Sequence, residues 1–372
     1  MTEDTRKYWI GFSRAAGTGA VRLRQLLDTF GDIASAWRAD ASALRASGIG
    51  PHAVEGILEA RANIDLDAEV DRLNRLGFTY LTWQDPRFPA PLLEIASPPI
   101  VLYCWGSLDQ ADRHATAIVG TRRPTPYGQA VARDLATALA VHGVTTVSGL
   151  ARGIDSIAHR ASLDAGGRTL AVLGSGLDQV YPPEHRTLAG EIADQGAVLT
   201  EYPLGTRPEA GNFPVRNRIV AGLARALVVV EAGEASGALI TADFAADQGR
   251  EVFSVPGNIY SRASRGVNKL LLQGATPFLS PEDVLAALAI PAQLQSPPEE
   301  APSLGADLEG LLAGLLTDEP SHADDLVART HRPPSEVVAA LAMLELQGRA
   351  VQVGGMNYVR SRPPRRVAEA FG

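Results

Sequence analysis

The sequence predicts an α/β protein: a Rossmann-like, doubly wound and mainly parallel sheet, flanked by an N-terminal helical domain of the helix-hairpin-helix type and a C-terminal winged helix. Three observations carry this. From His114 onward, short apolar runs alternate with helical stretches. Near the start, a Gly-x-Gly turn occurs twice, each time directly before a helical pattern. At the end, three short helical patterns lead into a candidate hairpin. A chain of 372 residues, 45% hydrophobic and 20% charged, can bury the cores of two or three such domains.

In residues 1–80, Gly17-Thr18-Gly19 precedes the pattern Val21, Leu23, Leu26, Leu27, Phe30, and Gly48-Ile49-Gly50 precedes Val54, Ile57, Leu58. Such a turn gathers free amide donors and the positive end of a helix at one point, which suits a backbone phosphate. Two units about thirty residues apart resemble tandem helix-hairpin-helix modules. A small helical bundle whose glycines only make tight turns explains the pattern equally well, because Arg61 is the main basic residue near the second turn.

Residues 81–290 hold the sheet. Apolar runs at 115–119, 144–147, 170–173, 198–200, 227–230 and 252–255 are separated by helical stretches such as 126–141, 156–165 and 238–248. Runs separated by helices cannot be hairpins, so they pair in parallel with helices on both faces. Ligands of such sheets bind outside the carboxyl ends of the strands. Those ends read Gly120-Thr121-Arg122, Ser148-Gly149 to Arg152-Gly153, Gly174-Ser175-Gly176, Glu201 followed by Arg216-Asn217-Arg218, Glu231 followed by Ser236-Gly237, and Pro256-Gly257. Glycine beside a hydroxyl or an arginine at nearly every end is phosphate-binding chemistry. The dinucleotide fingerprint Gly-x-Gly-x-x-Gly is missing after the first strand, and so is the P-loop, so neither an NAD enzyme nor an NTPase is expected, and no cofactor.

Residues 291–306 have linker composition. In 307–360, helices at 308–316, 323–330 and 335–346 and a ribbon turning at Gly354-Gly355 make the winged helix, and 361–372 form a Pro/Arg-rich tail. The presumed recognition helix carries Glu336 and Glu345 and no basic residue, which predicts weak binding to duplex DNA and favours a partner-contact or architectural role.

The net charge of -8 resolves by segment into -3 for 1–117, +1 for 118–280 and -6 for 281–372, so the sheet domain is where an anion is most welcome. The only lysines are Lys7 and Lys269, a bias that base composition explains. Cys104, the sole cysteine, excludes an internal disulfide and a cysteine-based metal cluster and fits a reducing compartment. The charged N-terminus leads into no apolar stretch and no run is long enough to span a bilayer, so the expectation is a soluble cytoplasmic protein without membrane partners.

Six ordered blocks resemble the DprA/Smf family: Ile118-Val-Gly-Thr-Arg-Arg-Pro-Thr-Pro-Tyr-Gly128, Val147 to His159, Ala171 to Asp178, Phe213 to Gly222, Glu231 to Ala242 and Gly249 to Gly257. The resemblance spans about 165 residues, and the flanking domains agree with the family's common layout. It implies a recombination mediator of natural transformation and DNA repair. Such a protein binds and protects incoming single-stranded DNA, forms a homodimer through the Rossmann-like domain, and helps load the RecA recombinase onto DNA covered by single-strand-binding protein. No catalytic step is implied.

The DNA-binding candidates are therefore Arg122, Gly149, Arg152, Gly153, Ser175, Arg186, Arg216, Asn217, Arg218, Ser236 and Lys269. The resemblance places an arginine of the family's DNA pocket at Arg122. At least one of Arg216 and Arg218 is expected at DNA, while either can pair with Glu201 or Glu231. Ser175 and Ser236 serve equally well as turn or cap residues. In the loop Tyr181-Pro182-Pro183-Glu184-His185-Arg186, many relatives carry a basic residue where Pro183 or Glu184 stands, and Arg186 is the substitute. Asp155 and His159 lie one helical turn apart, but lacking a third ligand they are read as structural, with Asp155 as a helix cap. The alternative function is a Rossmann-like nucleotide-binding or phosphoribohydrolase-type enzyme. Such enzymes carry Pro-Gly-Gly-x-Gly-Thr with a catalytic Glu, which 231–242 lacks.

Overall fold

The computed structural model describes residues 5–290, 308–317 and 320–361. It divides into two compact units, 1–292 and 293–372. The anticipated linker, 291–306, and nearly all of the tail lie outside the described residues.

The first unit begins with six helices: α1 (Lys7–Arg14), α2 (Ala20–Phe30), α3 (Ile33–Arg38), α4 (Ala41–Ala46), α5 (Pro51–Asn63) and α6 (Leu66–Arg75). Both Gly-x-Gly turns sit where the sequence places them, with Gly19 capping α2 and Gly50 capping α5. The turns also pack on each other. A side chain at Gly17 (φ +75°) would meet His52 and Ala53, and one at Gly56 would lie 2.1 Å from the Ala16 carbonyl. Arg61 is half-buried, donates to the Ala36 and Ala39 carbonyls, and lies 5.4 Å over the Trp37 ring. That cation is thus spent inside the bundle. Nor is the bundle separate from the sheet: Trp9, Phe12, Leu26 and Ile57 share one core with Tyr80, Val101, Tyr103 and Leu173, so packing is continuous across residue 80.

The sheet has nine strands, and the first pair was not anticipated. β1 (Thr79–Thr82), the short α7 (Ala90–Leu93) and β2 (Val101–Gly106) precede β3 (Ala115–Val119). Then follow α8 (Pro126–Val141), β4 (Thr145–Ser148), α9 (Ile154–Asp164), β5 (Thr169–Val172), α10 (Arg186–Gln195) and β6 (Ala197–Thr200). Next come α11 (Asn212–Leu223), β7 (Ala226–Val229), α12 (Gly237–Asp247), β8 (Glu251–Ser254), α13 (Arg265–Leu272), β9 (Thr276–Pro277) and α14 (Pro281–Ala287). The order is β1-β2-β6-β5-β4-β3-β7-β8-β9. Every pairing from β6 to β9 is parallel, whereas β1 with β2 and β2 with β6 are antiparallel.

Alternation along the strands fills both faces. Ala117, Val119, Leu170 and Val229 pack with α11 and α12, while Ile118 and Val228 pack with α8 and α9. The N-terminal helices cover this second face at its β2–β6 end.

The second unit comprises α15 (Leu308–Leu315), β10 (Ser321–His322), α16 (Ala323–Thr330), α17 (Pro334–Leu346), β11 (Ala350–Gln352) and β12 (Asn357–Arg360). The ribbon is as expected, and β10 adds a third strand beside β12. Leu312, Leu326, Leu341 and Tyr358 form its core.

Candidate nucleic-acid interface

β3 lies between β4 and β7, so the chain leaves it in one direction and later returns on the other side. The carboxyl ends of β3 and β7 therefore form the switch-point crevice where doubly wound sheets take ligands. Here the protein supplies its own anion. Glu231, 2% exposed, accepts from Thr125 N (2.8 Å) and Thr125 Oγ1 (2.5 Å) at the start of α8, and a Cβ at Gly128 would lie 2.4 Å from its Oε2. In a dinucleotide fold that helix end receives the pyrophosphate. A phosphate in this position would meet the Glu231 carboxylate, which gives the missing fingerprint a physical counterpart.

One strand further along, the loops after β3, β4 and β5 and the start of α11 enclose a pocket lined by Arg122, Gly149, Arg152, Tyr181, Phe213 and Arg216. Its floor is Arg216, 5% exposed, which donates to Gly149 O (2.9 Å), to Val172 O and, through Nε, to Asn217 Oδ1 (3.3 Å). Burial pulls the Arg216 pKa down to about 10, still far above neutrality, so the guanidinium stays charged. Asp155 opposes that effect without a direct ion pair among the described residues. It is the second residue of α9 rather than the anticipated cap, and it accepts from Gly149 N (3.1 Å) and Ala151 N (3.3 Å). Burial raises its pKa, with Arg216 and these amides acting against the shift.

Two glycines are required by this packing. A Cβ at Gly149 would fall 2.5 Å from Arg216 Nη2. At Gly153 (φ +80°), which caps α9, it would fall 2.4 Å from Thr121 O. Between them Leu150 adopts a left-handed conformation (φ +56°), and its carbonyl accepts from His185 Nδ1 at 2.8 Å. A strained non-glycine residue held on both sides is the mark of a loop whose shape is fixed by its surroundings.

At the mouth, the Arg122 guanidinium stands 5.9 Å over the Phe213 ring, and Tyr181 tilts against Phe213 with ring centroids 5.6 Å apart. These two aromatics were not among the sequence candidates. They come from segments distant in the chain, and only the fold brings them beside the arginines. Arg152 is exposed and held by Glu184 (Nε–Oε1 2.5 Å), while Arg186, exposed at the start of α10, lies outside the residues that line the pocket.

The remaining candidates are placed elsewhere or otherwise engaged. Of Arg216 and Arg218, it is Arg218 that takes a carboxylate, forking onto both oxygens of Glu201 at 2.6 Å. Asn217 donates to Gly237 O (3.2 Å). Ser175 is buried with its hydroxyl on Gln179 O (2.7 Å), and Ser236 caps α12 through Ala238 N (3.3 Å). Lys269 is exposed on α13, outside the residues that line the pocket. His159 is fully buried against Thr169 Oγ1 (2.6 Å), and burial lowers its pKa to about 3. Among the described residues no group of His, Cys, Asp and Glu could hold a metal ion.

This arrangement joins a buried permanent cation, two exposed arginines and an aromatic pair at the ends of adjacent parallel strands. Chemically it can neutralise phosphates and stack a base within one short reach.

Comparison with known proteins gives consistent matches. Residues 79–289 match the family described as DNA recombination-mediator protein A, and residues 295–356 match the DprA winged helix domain. The Smf protein of Synechocystis sp. is 38% identical over 97% of this chain and all of its own length, and that of Escherichia coli is 40% identical over 74% and 75%. Among solved structures, DNA processing protein A of Streptococcus pneumoniae superposes with a TM-score of 0.67 at 33% identity, covering 75% of this chain and 97% of its own. The Helicobacter pylori protein, described for its single-stranded DNA binding mode, gives 0.51 at 32% identity over 57% of this chain and 96% of its own.

Proposed function

The chain belongs to the family of DNA recombination-mediator protein A, and from that premise we propose that it binds single-stranded DNA at the carboxyl rim of its parallel sheet. The observation that carries this reading is the Arg122 guanidinium over Phe213, with Tyr181 tilted against that ring, at a pocket lined also by the buried Arg216. Arginines bind phosphate irrespective of sequence, and an aromatic face accepts any unpaired base. A duplex offers its phosphates but not its stacked bases, so the site discriminates in favour of single strands. The single-strand binding described for the Helicobacter relative supports the same assignment.

Within this reading the contacts fall to Arg122, Arg152 and Arg186, with Gly149, Gly153, Arg216 and Asn217 shaping the pocket. The wider role is that of a mediator: a cytoplasmic homodimer that protects incoming single-stranded DNA and, with single-strand-binding protein as the competitor, helps load RecA in transformation and repair. It performs no catalytic step. The winged helix binds duplex weakly and acts through partners or architecture. The outer side of α17 exposes Val338, Met343 and Leu346 between Glu336 and Glu345, a face that groove phosphates repel. The enzyme alternative gains nothing from the switch-point crevice, where Glu231 is locked onto Thr125.

The test is a competition titration. Labelled single strand should be displaced by unlabelled single strand far more readily than by duplex, and its affinity should fall steeply with salt. Equal displacement by both would overturn the assignment.

A further inference from the structure

A second cavity, of about 410 Å³, opens on the other side of the loop that carries Arg122. Six residues decide its chemistry: Thr125, Tyr127, Glu231, Asn258, Ser261 and Ser264. The loop acts as a ridge. Its Thr121 N is tied to Glu231 O (2.7 Å) and its Arg123 N to Thr121 Oγ1 (3.2 Å), so Arg122 faces the first pocket while Thr125 and Tyr127 line the second.

The volume falls in the range of small-molecule sites. Glu231 gives the floor a negative charge, so a phosphate is repelled from the very crevice that most sheets of this type offer to one. Of the parts of a nucleotide, it is the base, neutral and flat with hydrogen-bonding edges, that this floor does not repel. The walls suit such a group. The Tyr127 ring is half exposed and its hydroxyl is anchored on Pro256 O (3.0 Å), which fixes the ring as a platform. Among the described residues, Asn258 Nδ2, Ser261 Oγ and Ser264 Oγ have no hydrogen-bond partner, which leaves them available to a ligand.

We propose that this cavity takes an unstacked nucleobase of the same single strand whose phosphates lie on Arg122, the backbone crossing the ridge between the two pockets. The inference rests on the single-strand reading above. It deepens that reading by giving the site a second base-binding subsite, separate from the aromatic pair beside Arg122. Base–aromatic stacking is worth enough that losing one base there should weaken binding about 5- to 150-fold.

The experiment uses the full chain and an oligonucleotide trimmed to one site length, compared with a set in which each position in turn is abasic. Wild type should show a position, besides any that stacks on Phe213 and Tyr181, where the abasic change costs that factor. Tyr127→Ala should abolish the penalty at that position, because the platform is gone. Asn258→Ala, on an exposed loop residue, should shrink it and serves as the second variant should Tyr127→Ala fail to fold. Arg122→Ala should weaken every oligonucleotide alike and keep the penalty. An abasic scan in which every penalty survives both Tyr127→Ala and Asn258→Ala overturns this base subsite while leaving the single-strand reading intact, and a flat scan overturns the base stacking of both subsites. Binding that is absent, or indifferent to Arg122→Ala, sinks that reading and this one with it.

Discussion

Gly149→Ala is the sharpest probe of how the pocket floor is held. The added methyl would sit 2.5 Å from Arg216 Nη2 and 2.8 Å from Cζ, well inside contact distance. Arg216 has little room to yield, because its guanidinium is bonded to the Gly149 and Val172 carbonyls and it is almost fully buried. Overpacking a site of this kind costs about 1–3 kcal/mol, seen as a fall in Tm of several degrees. Pushing the charge off the floor should also weaken single-strand binding by roughly fivefold or more, the worth of about 1 kcal/mol of through-space attraction. Gly237→Ala is the control: nothing lies within 4 Å of its Cβ, so it should be neutral or slightly stabilising. Thermal unfolding and fluorescence anisotropy on both variants decide the matter. If Gly149→Ala matches Gly237→Ala in Tm and in affinity, Arg216 is not wedged as described and the pocket floor is not fixed by it.

Two further outcomes follow from the same geometry. Glu184 holds Arg152 in an exposed ion pair, and that contact keeps the carboxyl below its usual range; Glu184→Gln should free Arg152 for phosphate, tightening single-strand binding and steepening the salt slope by about 0.7, the contribution of one added contact. His159 is neutral in the fold, its pKa lowered to about 3 chiefly by burial and further by His185 and Arg216. The unfolded chain protonates it below about 6.5, so stability should fall on acidification from there toward pH 3, by up to about 1.4 kcal/mol per pH unit. Denaturant titrations at pH 7 and pH 5 should show a smaller drop for His159→Asn than for wild type, and equal drops would mean that His159 is solvated.

Much of the sheet was legible because buried parallel strands are continuous apolar runs bounded by helical patterns. The stretch 115–119 and the helix 126–141 appear with those bounds, and the other strands shift by a residue. β1 and β2 escaped notice because they precede the regular alternation and pair antiparallel at the edge, where no crossover helix announces them. The strand-end arginines were visible as a class, but their division of labour was not. Arg216 and Arg218 stand two residues apart, yet one turns to the pocket floor and the other to Glu201, a choice set by tertiary contacts. Tyr181 and Phe213 had no local signal at all, since their meaning is each other's proximity and that of Arg122. Glu231 was seen as a strand-end residue, but that it neutralises the start of α8 required the fold.

The most direct measurement is anisotropy of a labelled single-stranded oligonucleotide against wild type and Arg122→Ala across a salt series. Loss of a charge-assisted contact of about 1.5–3 kcal/mol predicts affinity at least about tenfold weaker, with a salt slope shallower by about 0.7. Wild-type affinity and slope in Arg122→Ala would contradict the account and move the DNA away from this rim.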